Sequence, residues 1–145
     1  MRDLPETDYW QAFQSKSTGI LTWPRLDALW SQIGGAPTGW YIYELSGDTP
    51  TQPVEPQDLQ AFLVSAKSFA QARTHGSHCG CVYVDDPDIP TFVRIFDPKN
   101  MGAACGGSGT RIYPKWTLSR LRPEALPPTP SVQPKKGWVN AVLGR

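Results

Sequence analysis

The chain has three cysteines and two histidines, and all of them fall between His75 and Cys105. The run opens as His75-Gly-Ser-His78-Cys79-Gly-Cys81 and closes on Cys105, the first residue of a Gly-rich loop, Cys105-Gly-Gly-Ser-Gly109. Thiolate and imidazole are the soft ligands of transition metals, and both ionise near neutral pH. Metal, thiol or imidazole chemistry in this protein therefore centres on this stretch.

In an extended backbone residues i and i+2 share a face, so Cys79 and Cys81 can reach one ion. His78 and Cys81 stand at a spacing common among zinc ligand pairs. A hairpin made of the segments 81–85 and 91–96 would bring the returning chain, and with it Cys105, toward the two thiols. Cys79, Cys81, Cys105 and His78 would then complete a tetrahedral zinc shell, with His75 as the substitute imidazole. The same donors suit an iron–sulfur centre with histidine as the fourth ligand. A thiol reading uses Cys105 as a reactive thiolate, its loop supplying backbone N–H groups and His78 or His75 the base. In the plainest reading Cys79 and Cys81 are small buried hydrophobes at a strand start. The acidic groups nearby, Asp85-Asp86-Pro-Asp88 and Asp97 before Pro98, read as turn formers rather than cation ligands.

Several elements must position this cluster. Tyr9, Trp10 and Phe13 share one side of a short helical turn. Thr22-Trp-Pro24 starts an amphipathic helix with Leu26, Leu29, Trp30 and Ile33 on its apolar stripe, stopped at Gly34-Gly35. Gly39 to Leu45 reads as a strand rich in aromatic residues. Glu55-Pro56 opens the longest helix, whose stripe is Leu59, Phe62, Leu63, Ala66, Phe69 and Ala70 and whose end falls near Arg73. The 81–85 and 91–96 runs form a hairpin, and segments 110–113 and 116–118 supply a further edge strand beside Pro114. The expected fold is α+β: two main helices on one face of a small, mostly antiparallel sheet.

The expected domain spans 1–121. From Arg122 to Lys136 proline recurs at 123, 127, 128, 130 and 134, an extended spacer with polyproline character. Residues 122–145 thus form a Pro-rich linker that ends in a short apolar motif carrying Trp138, Val139, Val142 and Leu143. That motif either holds a larger protein partner or folds back on the domain, and its exchange between copies would close a homo-oligomer.

The bulk composition narrows the function classes. At 145 residues, with 39% hydrophobic and 19% charged, the chain suits one globular domain with its own core. A net charge of +1 gives no general attraction to nucleic acid or anionic membrane, and no run is long enough to cross a bilayer. The start lacks a signal-peptide core and the cysteine count is odd, so a cytoplasmic location is expected. Fifteen prolines and thirteen glycines imply many turns, and six tryptophans read as core fillers. Together these features point to a small non-enzymatic accessory protein with a Cys/His transition-metal site. One version of that role is the assembly or regulation of a metalloenzyme. The alternatives are a thiol enzyme built on Cys105 and a metal-free interaction domain acting through its tail.

Overall fold

The computed structural model of the protein describes residues 7–74, 76, 78–100 and 112–125. Along the chain these form α1 (Asp8–Gln14), β1 (Thr18–Thr22), α2 (Trp23–Gly35), β2 (Tyr41–Glu44), α3 (Pro56–Ala72), β3 (His78–Val84), β4 (Phe92–Ile95) and β5 (Trp116–Ser119). Helical backbone also occurs at 98–100. The fold is α+β, as the periodicities imply. No described helix is long and apolar enough to cross a membrane.

The five strands form one sheet in the order β1-β3-β4-β5-β2, and every neighbouring pair is antiparallel. Side chains alternate across such a sheet, and both faces here are apolar. Ile20, Val82, Val84, Val93, Ile95 and Leu118 point to the face that α2 and α3 cover with Leu26, Leu29, Ile33, Leu59, Leu63 and Ala66. Trp30 ties the two helices together, its buried indole N–H donating to the Leu63 carbonyl at 2.7 Å. Thr22 ends β1 and caps α2 in one step: its hydroxyl accepts the Arg25 N–H at 3.4 Å, and Pro24 occupies the first turn, where its missing N–H costs nothing.

The opposite face carries a second cluster, in which Tyr9, Trp10 and Phe13 of α1 pack on Tyr43 and Phe92. The Tyr9 hydroxyl and Thr117 Oγ1 lie 2.6 Å apart across this buried interface. Burial, only partly offset by that bond, pushes the Tyr9 phenol well above its ordinary pKa. Arg94 reaches along the same face, donating from Nη1 to the Phe13 carbonyl at 3.0 Å and from Nη2 to the Ser17 hydroxyl. Burial lowers the pKa of its guanidinium.

Four features differ from the sequence-based expectation. β1 pairs outside β3, although its short run shows one buried residue, Ile20. β5 is an inner strand between β4 and β2 rather than an edge, because β2 comes from far back in the chain to pair with it. Residues 112–114 lie outside any strand, and 110–111 are outside the described residues. The helices also lie on both faces of the sheet, since α1 covers the side that α2 and α3 leave open. Near the domain boundary expected at 121, Leu121 packs against the α1 cluster and Pro123 is buried. The tail motif of Trp138, Val139, Val142 and Leu143 lies outside the described residues.

Leu118 is fully buried on an inner strand, whereas Val64 is 68% exposed. Leu118→Ala should therefore lower the unfolding free energy by about 2–5 kcal/mol, through lost burial and the cavity left behind. Val64→Ala should stay within about 0.5 kcal/mol of wild type. Urea melts at one pH compare the two variants.

Candidate functional site

The cysteine segment is set by the turn between α3 and β3. α3 ends with Arg73 as its C-cap, and the Thr74 hydroxyl donates back to the Ala70 carbonyl at 2.9 Å. Gly76 then adopts φ +80, a region that favours glycine, and its carbonyl accepts the Trp23 indole N–H at 3.1 Å. The first residue of α2 thus anchors the loop that feeds β3.

Within β3 the ladder to β1 is interrupted. Ile20 pairs with Val82 and Thr22 with His78, so Cys79, Gly80 and Cys81 stand opposite Leu21 alone. This is a β-bulge, and Gly80 supplies its left-handed residue at φ +72. Strict alternation would send Cys81 and Val82 to opposite faces. The bulge instead buries both in the same core as Cys79, which is 3% exposed.

The two sulfurs are neighbours. The Cys81 thiol and the backbone N–H groups of Cys81 and Val82 favour the ionised form of Cys79. These donors outweigh burial and lower the Cys79 pKa to about 7. Cys81 is pushed the other way, because its proton is held in the bond to Cys79, the site is buried and the charges of Cys79 and Asp97 oppose ionisation. The pair behaves as one unit that readily gives up a first proton and retains the second.

The surroundings sort the other candidate ligands. His78 is exposed, and its ring lies against Gly80: a Cβ there would sit 3.1 Å from His78 Cδ2. The returning hairpin arrives where expected, with the Phe96 N–H donating to the Cys81 carbonyl at 2.9 Å. Asp97 follows, its carboxylate 3.6 Å from Arg73 Nε and accepting the Lys99 N–H at 3.0 Å. Among the described residues no group of three or more His, Cys, Asp or Glu side chains is placed to hold a metal. Cys79 and Cys81 are therefore brought together, His78 is not joined to them in such a group, and Cys105 and His75 lie outside the described residues.

The hairpin tip is stabilised by its own carboxylates. Asp85 accepts the N–H groups of Thr91 and Phe92, each at 3.0 Å, together with the Thr91 hydroxyl, and Asp86 accepts the Asp88 N–H at 2.9 Å. An open groove of about 640 Å³ between α2 and α3 is lined by Trp30, Leu63 and Val64 and crossed by the Lys67–Asp27 ion pair at 2.6 Å. It contains neither cysteine nor histidine.

No family model, curated protein or solved structure matches this chain. The geometry of its own residues is thus the basis for any functional reading. Sequence reasoning named the thiols and left out Gly80 and the Arg73–Asp97 pair beside them. A glycine between two cysteines was the available signal, since that position favours a bulge or a close approach.

The metal-free pair has a pH signature. Cys79 is more acidic folded than unfolded, so stability should rise with pH from about 7 to about 9, the ordinary thiol value. Above that range the unfolded chain ionises Cys81 while the folded chain does not, and the trend should reverse. Denaturation midpoints from pH 6 to 10 in the presence of chelator measure this, and Cys79→Ser should flatten the rising limb.

Proposed function

We propose that this is a small non-enzymatic accessory protein that binds a transition metal, zinc, and serves a larger protein partner. Two ligands are the thiolates of Cys79 and Cys81; Cys105 and a histidine, His78 or His75, complete the shell. The observation that carries the reading is the bulge, which turns two cysteines of one strand into the same core; the polar groups beside Cys79 also favour its thiolate. A thiolate prepared in this way loses little when it exchanges its hydrogen bonds for a metal, and soft thiolate donors favour zinc over hard cations. An iron–sulfur centre is the alternative occupant of the same donors.

An accessory role suits these features better than catalysis. Both sulfurs are almost completely buried, so a metal held there has a closed shell rather than an open coordination position. Reduced thiols also fit the cytoplasm. The apolar C-terminal motif, with Trp138, Val139, Val142 and Leu143, is a candidate contact for the partner.

Elemental analysis of untagged full-length protein, purified without chelator, tests the reading alongside a count of thiols reactive in the native state. About one equivalent of zinc is expected, with thiols that react only after chelation. Cys81→Ser should lose most of that metal. Equal metal content in Cys81→Ser and wild type, or no metal with every thiol free, would overturn it.

A further inference from the structure

The sheet has two outer edges, β2 and β1, and they are finished differently. The Leu45 N–H donates to the Lys115 carbonyl at 3.1 Å, so Tyr41 and Tyr43 bond toward β5 while the backbone groups of Trp40, Ile42 and Glu44 turn outward. Two of those outward carbonyls are satisfied within the chain. The Val54 N–H donates to Trp40 and the Gly47 N–H to Glu44, each at 2.8 Å. Both donors flank the loop that carries Pro50 and Pro53, so β2 offers little to another strand.

β1 has no such guard among the described residues. In β3 the Asp85 N–H donates to the Phe92 carbonyl, and the Cys81 carbonyl accepts the Phe96 N–H, both at 2.9 Å. Cys81, Tyr83 and Asp85 therefore bond toward β4, and Val82 and Val84 toward β1. Their partners Ile20 and Thr18 bond inward, which leaves the N–H and C=O groups of Gly19 and Leu21 on the open edge. No described loop or side chain bonds to either residue. Residues 17–22 contain neither proline nor charge, and Leu21 is 52% exposed. An uncharged edge with unpaired backbone groups is a template for a further strand.

Three features select the strand that fits, a second β1. The first is register. A two-fold axis at Ile20 sets Gly19 opposite Leu21 of the second copy, so the outward-pointing residues of both copies meet as hydrogen-bonded pairs. The second is shape. Gly19 has no side chain, and the half-buried Tyr83 ring lies 3.1 Å from where its Cβ would stand. Leu21 of the second copy arrives beside that ring. The third is charge. A cleft of about 190 Å³ beside the edge is bounded by Arg25, Ala28 and Gln32 of α2 and by Asp88 of the hairpin tip. Arg25 stands at the Thr22 end of β1, and Asp88 follows the end of β3 that pairs with Thr18. Neither has an ion-pair partner among the described residues. Antiparallel pairing exchanges the two ends and brings Arg25 of each copy toward Asp88 of the other.

We infer that β1 is a self-association edge: two copies of this protein pair β1 with β1, antiparallel about Ile20, and join their sheets into one. The reciprocal Arg25–Asp88 contacts fix the antiparallel sense. The inference is independent of the metal reading, because the cysteines lie on the far side of β1 from the new contact.

Sedimentation velocity of the full chain, with amide exchange read by NMR, tests this. Over about a hundredfold range of concentration the protein should pass from monomer to dimer. The Gly19 and Leu21 amides should gain protection as it does, while those of Thr18 and Ile20 stay unchanged. Leu21→Pro removes an N–H that no bond within the described chain uses, and should weaken association by about tenfold or more. Leu21→Lys, at an exposed position, should do the same, so the test does not depend on the proline variant folding well. Arg25→Glu should also weaken the dimer, and adding Asp88→Lys should restore it. A monomer at every concentration would overturn the proposal, as would a dimer that ignores both Leu21 variants. Gly19 and Leu21 amides protected equally at all concentrations would overturn it too, since the edge would then be covered within one chain.

Discussion

Strand β4 must be buried on both sides, and the architecture follows from that requirement. Val93 and Ile95 are completely enclosed by α2 and α3, while Phe92 sits under α1. Its backbone pairs with β3 on one edge and β5 on the other, so its N–H and C=O groups have partners without water. A strand of this kind needs a layer above and a layer below. α2 and α3 supply one, and α1 supplies the other although it is only about two turns long. Arg94 is the polar exception on β4, and the Phe13 carbonyl and Ser17 hydroxyl satisfy its guanidinium at the joint between α1 and β1.

Local periodicity was enough to read the helices and the hairpin. The apolar stripes of α2 and α3 repeat at helical intervals, and the buried positions observed on them match. Turn residues flank β3 and β4 closely enough to predict their pairing. What could not be read is set by contacts between distant segments. β1 offers one buried side chain and finds its partner far along the chain, so it has almost no pattern of its own. β5 looked like an edge because Pro114 precedes it; its second neighbour, β2, is fixed by tertiary packing rather than by anything adjacent in sequence. The face that α1 chooses is equally invisible in seven residues.

The thiol pair was legible for a reason that proved incomplete. Placing i and i+2 on one face of a regular strand does bring Cys79 and Cys81 together, but it would also separate Cys81 from Val82. The bulge brings all three inward and leaves Cys79 beside backbone N–H groups that favour its ionised form. Gly80 is the residue that allows this, both by its positive φ and by the room it leaves for the His78 ring. The chemistry proposed for the segment thus depends on a backbone irregularity rather than on cysteine spacing alone.

The carboxylate of Asp85, which gathers three donors at the neck of the β3–β4 loop, also bears on the order in which the chain folds. Among the described strands β3 and β4 are joined by a short connection, whereas β1, β2 and β5 each reach their partners across long stretches of chain. Closing a short loop costs little entropy, and a side chain that already fastens its ends lowers that cost further. The hairpin is thus the cheapest nucleus the sheet can form, and its inner position lets strands be added on either side. A protein whose chemistry lies at the root of this hairpin would have that site's strand partner in place early, with the bulge completed when β1 arrives.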